Sequence, residues 1–297
     1  MIDDAAPPSA ALPHVWEFDA IGAPWRIETV DAVGDPQRAA VLERVERFDR
    51  DWSRFRDDSI VTRISREPGR HRLPADAGPL LDWYGALYSG TGGRVSPLVG
   101  RTMESLGYDA AYRLTPASTI APVPVWDDAF SWDGEFFDSA RPVLLDVGAA
   151  GKGYLVDLVS ALLLELGFAT HVVDGSGDLV ARGATSELVA LEHPADPSRA
   201  IGVVPVADGA LAASSVNRRA WGDGLHHMID AITGLPTSSV IATWALAPDA
   251  LHADGLATAL FFDPAPNLVE DVGVSYVRMF ANGRVEHSPS FSGELFT

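Results

Sequence analysis

An α+β fold is predicted by two features: strand and helix patterns lie next to one another without strict alternation, and hairpin signals stand at both ends of the chain. The first is at residues 15–30, an extended, partly aromatic stretch with a turn placed at Gly22, Ala23 and Pro24. A helix is expected from about Pro36, where Val41, Leu42, Val45 and Phe48 make an apolar stripe opposite Glu43, Arg44 and Arg47. A second helix is expected over residues 77–91, stopped by the glycines at 90, 92 and 93. Proline and aspartate crowd residues 115–138, which read as loops and short strands.

The most ordered pattern starts at Arg141, with an apolar run to Val147 that reads as a strand, a Gly-rich turn from Gly148 to Gly153, and a helix lined by Leu155, Val159, Leu162, Leu163 and Leu166. Gly167 ends that helix and a strand begins at Thr170. Further strands are expected at 203–206, 209–213 and 241–246, and a helix at 248–262. A closing hairpin, 275–280 with Val285, turns at Asn282 and Gly283.

With 297 residues and 47% hydrophobic composition, the chain can bury a proper core. A net charge of −19 repels nucleic acid and anionic lipid, so neither is an expected partner. Cysteine is absent, which excludes disulfides, thiolate nucleophiles and thiolate zinc sites. The first 14 residues read as a disordered lead-in: they are acidic where a signal peptide is basic, and no stretch is long and apolar enough for a membrane anchor. A cytoplasmic protein is the default expectation.

Three segments carry chemistry. The glycine order at 148–153, G-x-x-G-x-G, is not the dinucleotide fingerprint G-x-G-x-x-G, and the loop is no P-loop because Gly153 follows Lys152 where Ser or Thr is required. What remains is either an anion site, built from a helix N-terminus, a close-approach loop and Lys152, or a tight turn with a solvated lysine. Asp254 and Thr258 stand four apart on one face of a helix, and both are hard oxygen donors suited to half of a magnesium site. The ordinary alternative is a threonine bonded back to its own helix beside a solvated aspartate. Gly255 between them suggests close packing. In the segment 226–236, His226 and His227 precede Asp230 and a Gly234-Leu235-Pro236 turn; a histidine here can act as base or ligand, or simply donate to a backbone carbonyl.

Taken in chain order, these segments resemble the ApbE family of FAD:protein FMN transferases. The family's F-S-x-[FY]-x-x-D-S-x-[IL]-x-x-[IL] pattern is similar to residues 52–64, which include Ser53, Arg54 and Phe55. Its D-P-x-V-G element is similar to residues 96–100, and its D-L-G-G-x-A-K-G-Y loop to residues 146–154. The N-x-G-G-D turn falls on 174–178, T-S-G on 213–215, H-x-I-D-P-x-T-G-x-P on 227–236, and A-D-A-x-x-T-A-L on 253–260. Ser96, Asp174, Ala213 and Ser215 replace the family's Asp, Asn, Thr and Gly.

The resemblance implies mixed sheets with packed helices over residues 15–297, one catalytic domain of two interleaved lobes with FAD in the cleft between them. It implies Mg2+ held by Asp254, Thr258 and the carbonyl of Gly151. FAD would be held by Ser53, Arg54, Phe55, Ser96, Lys152, Asp178, Ser214, His227 and Ile229, with His227 also the candidate catalytic base. The implied reaction is transfer of FMN from FAD to a threonine of an acceptor flavoprotein, with release of AMP. The same site fits two rivals, an FAD pyrophosphatase and a non-catalytic FAD-binding protein.

Overall fold

The computed structural model describes residues 12–262, 268–269 and 272–296. Of the lead-in expected over 1–14, residues 1–11 lie outside these; Leu12 is buried and His14 opens the first strand. Strands β1 (His14–Ala20) and β2 (Ala23–Thr29) pair in register, with Ala20 opposite Ala23. The connecting turn is Ile21 and Gly22, both left-handed at φ 46° and 74°. It therefore comes before Pro24, which was expected inside it: two positive φ values match the strand twist, and proline cannot adopt them.

Helix α1 (Asp35–Trp52) has Pro36 in its first turn and buries Val41, Val45, Phe48 and Trp52. Leu42, expected in that stripe, is 43% exposed, because it sits about 100° round the helix from Val41. In α2 (Ile60–Arg66) the Ser59 hydroxyl caps the N-terminus by accepting from Thr62 N at 3.1 Å. After β3 (Gly69–Arg72) comes α3 (Ala77–Gly90), stopped where Gly92 and Gly93 turn left-handed. Next are a short 3-10 turn at Pro97–Val99, α4 (Gly100–Ser105), α5 (Trp126–Ala129), β4 (Ser131–Trp132) and β5 (Phe136–Ser139). The last two join β3 in a small sheet of order β3-β5-β4.

The expected strand at 141–147 forms no ladder. Val143, Leu144 and Leu145 are buried, but the segment runs extended between loops, and Asp146 N donates to Pro97 O at 2.7 Å. Apolar content dictated burial here, not sheet pairing. Helix α6 (Gly151–Glu165) follows, burying Leu155, Val159 and Leu163. Leu162 is only partly buried and Leu166 is 36% exposed, since Leu166 lies past the last turn.

The main sheet then builds from β6 (His171–Asp174), β7 (Asp178–His193) and β8 (Asp196–Ser215), the last running continuously through both segments expected as separate strands. Short strands β9 (Ala220–Trp221), β10 (Leu225–His226), β11 (Ile229–Asp230) and β12 (Leu235–Pro236) make two small hairpins. β13 (Val240–Ala247), α7 (Ala250–Ala259), β14 (Ser275–Phe280), β15 (Val285–His287) and β16 (Glu294–Leu295) complete the fold. The nine-stranded sheet has the order β1-β2-β6-β7-β8-β13-β14-β15, with β16 on β8, and its strand pairs are antiparallel. The fold is α+β.

Alternation along the strands divides two cores. Ala210, Ala212, Ala245 and Ala247 face the helices, while Leu211, Ala242 and Trp244 pack on the opposite face. Small residues on the helix side let α6 and α7 come close. A Cβ on Gly153 would lie 2.0 Å from Ala250 O, and one on Gly255 2.2 Å from Trp83 Nε1, so Gly255 is there for close packing, as expected. No helix among the described residues is long and apolar enough to cross a membrane.

Candidate functional site

A cleft of about 670 Å³ opens between the β1–β2 turn, the end of α1, the N-terminus of α6, the ends of β7 and β8, and the segment around His227. That volume is in the range of ligand sites. The structure brings to its walls every residue that the family resemblance implies for FAD or metal. Ser53, Arg54, Phe55 and Ser96 line one side and Lys152, Asp178 and Ser214 another. Gly151, Asp254, Thr258, His227 and Ile229 complete it.

The acidic corner is set by α6 and α7. Both carboxylate oxygens of Asp157, on α6, accept from the first free amides of α7, Ala250 N at 2.9 Å and Leu251 N at 2.7 Å. Asp249 caps the same end through His252 N. This anchors the helix that carries Asp254 and Thr258. Asp254 is buried and its Oδ2 accepts from Gly153 N at 2.9 Å; Thr258 Oγ1 donates across to Ala149 O at 3.2 Å, not to its own helix.

Asp178 is also buried, and Lys152 pairs with it at 3.0 Å while donating to Gly175 O and Ser176 O, both at 2.9 Å. The lysine is therefore neither solvated nor free to grip an anion. Burial first, and then the charge of Asp178, push the Asp254 carboxyl well above its usual range. Asp178 is raised by burial in spite of Lys152. Two buried acidic side chains, Asp178 paired with Lys152 and Asp254 with no cation paired to it among the described residues, make this corner acidic. The donors facing it, Asp254 and Thr258 with the carbonyl-rich turn before α6, are all hard oxygen. They fit magnesium, which takes one or two carboxylates and leaves room for substrate oxygens. Among the described residues no group of three or more His, Cys, Asp or Glu that could hold a metal ion is present.

On the opposite wall Arg54 is buried. Its Nε donates to Asp146 Oδ2 at 2.6 Å, its Nη1 to Tyr108 O at 2.8 Å, and its Nη2 has no partner. Asp146 Oδ1 in turn accepts from Gly148 N at 2.8 Å. Burial raises this carboxyl, but Arg54 and the Gly148 amide outweigh it and hold it below its usual value. Arg54 thus braces the Gly-rich turn first, and its buried Nη2 is left without a partner. Phe55 packs in parallel on Tyr112 and edge-on to Tyr108, which stacks on Trp221. Ser96 uses its hydroxyl to accept from Leu98 N at 3.2 Å, capping its own turn. Asp174 is used the same way, its Oδ1 accepting from Gly177 N at 3.1 Å, and it does not line the cleft.

The two adjacent histidines divide the roles open to the segment. His226 is the ordinary case, bonded through Nε2 to Thr237 O at 2.8 Å. His227 lines the cleft with a buried, unpartnered Nδ1. The nearby carboxylate Asp230 does not orient it, being paired with Arg94. Burial first, then the charge of Arg219, lower the His227 imidazole to about 3, so it is neutral at pH 7.

A folded pKa below the unfolded one contributes stability that is full above pH 6.5 and is lost as pH falls toward 3. At pH 5 the loss is on the order of 2 kcal/mol. His227→Gln is therefore expected to show a smaller drop in Tm between pH 7.5 and pH 5 than the parent, in metal-free buffer. Equal drops would contradict the burial of this imidazole.

Several lining residues carried no signal that sequence reasoning used. Tyr108 and Tyr112 come from a loop without a motif; Asp157, which does not line the cleft, acts only through the packing of α6 on α7. Arg219 had a local signal, since it follows the strand end at Ser214 and Ser215 in a pair of arginines.

The family model for the ApbE family matches residues 21–274. A FAD:protein FMN transferase of Haemophilus influenzae is 33% identical over 129 residues, 40% of this chain and 37% of that protein. One from Rhodobacter capsulatus is 25% identical over 312 residues, 97% of this chain and 59% of that protein. The chain thus covers less than two thirds of the length of either relative. In fold it is similar to the crystal structure of the ApbE protein of Thermotoga maritima, with a TM-score of 0.78 at 22% identity, covering 93% of this chain and 97% of that one.

Proposed function

The chain belongs to the ApbE family, and from that premise we propose that it transfers the FMN half of FAD to a threonine hydroxyl of an acceptor flavoprotein, releasing AMP. The observation that carries this reading is the meeting of buried oxygen donors, Asp254 and Thr258, with a neutral imidazole, His227, in one cleft of ligand size.

Magnesium held by Asp254, Thr258 and the Gly151 carbonyl would neutralise pyrophosphate charge and favour departure of AMP. The chain's own residues do the rest. Arg54, through its free Nη2, and the aromatic wall at Phe55 orient the flavin half; Ser53, Ser96, Ser214 and Ile229 shape the cleft around it. Lys152 keeps Asp178 from repelling the phosphates. The attacking hydroxyl oxygen forms a bond to the FMN-side phosphorus, the bond from that phosphorus to the bridging oxygen breaks, and AMP leaves with the electron pair. The hydroxyl proton passes to Nδ1 of His227, whose basicity rises when a pyrophosphate offsets the charge of Arg219.

The test is AMP release from FAD with magnesium, with and without an acceptor bearing the target threonine. Transfer predicts AMP in proportion to acceptor. AMP and free FMN regardless of acceptor would replace the reading with a hydrolase, and FAD retained without AMP would replace it with a binding protein.

A further inference from the structure

Resting on that reading, we propose that Arg219 is a substrate-binding residue that supplies the free positive charge for the FAD pyrophosphate. An anionic ligand entering an acidic protein needs cations that are not already spent. Of the cations lining the cleft, Arg54 is paired with Asp146, Arg56 with Glu46, Asp49 and Asp58, Lys152 with Asp178, and Arg218 with Glu192. Each of these is matched by a carboxylate before any ligand arrives. Arg219 lines the same cleft, and among the described residues its side chain is in no ion pair or hydrogen bond.

Its place is set by topology. β8 ends at Ser215, a 3-10 turn spans Val216–Arg219, and in the β9–β10 hairpin Ala220 pairs with His226. One further step in that register sets Arg219 opposite His227, across from the imidazole with the unpartnered nitrogen. The charge of Arg219 is felt at His227, at Asp146 before the Gly-rich turn, and at Asp254 in the acidic corner. These groups surround the place where a pyrophosphate must lie if its metal is at Asp254 and its attacked phosphorus is near His227. A planar guanidinium suits phosphate oxygens by paired N–H donation, and Arg219 is exposed, with no salt bridge to be broken first.

The experiment measures binding of FAD and of riboflavin, which has the same ring system without phosphate, to the parent protein and to Arg219→Gln and Arg219→Lys, by flavin fluorescence with magnesium present. The expected result is a Kd for FAD raised about 10- to 100-fold in Arg219→Gln, partial recovery in Arg219→Lys, and riboflavin binding unchanged. The salt dependence of FAD binding should also flatten in Arg219→Gln. Unchanged FAD affinity in Arg219→Gln would overturn this role while leaving the proposed function standing. Equal weakening of FAD and riboflavin would overturn it too, marking a structural role instead. Failure of the parent protein to bind FAD at all would sink both.

Discussion

Asp254→Asn is expected to lower FMN transfer by about 100-fold or more and, in the absence of metal, to raise the stability of the fold. Both effects come from one arrangement. Asp254 is buried beside Asp178, and both carboxyls are pushed above their usual range. A raised carboxyl contributes stability that is full below the ordinary carboxylate pKa and is lost as pH rises through the folded value. Ionising this buried pair therefore costs stability as pH rises, a cost that a bound cation offsets. Asparagine keeps the oxygen that accepts from Gly153 N and removes the charge. Scanning calorimetry in chelator should show a Tm gap in favour of the variant of about 2–3 °C, widening from pH 5 to pH 8. A flat gap, or magnesium-dependent transfer that survives the change, would contradict the metal assignment.

Gly153→Ala is expected to destabilise the protein by about 3 kcal/mol or more, the largest effect of any single methyl group considered. The added Cβ would stand 2.0 Å from Ala250 O and 2.6 Å from Asp254 Cβ. The first is backbone, held by Asp157 at the start of α7, so it cannot swing aside. Relief requires α6 and α7 to separate, which breaks the Gly153 amide's contact with Asp254 and moves Thr258 away from Ala149. Thermal unfolding should report the loss, and residual folded protein should bind magnesium and FAD more weakly. A variant as stable as the parent would mean that the two helices are not packed at this distance.

Elements that announce themselves by local chemistry were legible in the sequence. The glycine stops after α3 and α6, the apolar stripe of α1 apart from the exposed Leu42, and the Asn282-Gly283 hairpin depend on neighbours a few residues away, and they fold as the pattern says. Residues 142–147 did not, because apolar composition predicts burial without saying whether a ladder partner exists; Asp146 instead bonds a 3-10 turn distant in sequence. The candidate site was legible as a set of residue types in order. Its wiring was not. Lys152 was open as an anion grip, yet its charge is consumed by Asp178, and Arg54 is committed to Asp146; both pairings join segments that sequence spacing cannot relate. The division between His226 and His227 likewise depends on which ring meets Thr237, a contact made by the β11–β12 hairpin.

The most direct measurement is the intact mass of an acceptor flavoprotein with the target threonine after incubation with this protein and FAD, once with magnesium and once with chelator. Covalent gain of one FMN phosphoryl unit with magnesium, and none with chelator, is the predicted result. An adduct that forms equally in chelator, or no adduct while FAD is still split to free FMN and AMP, would contradict metal-dependent FMN transfer in this cleft.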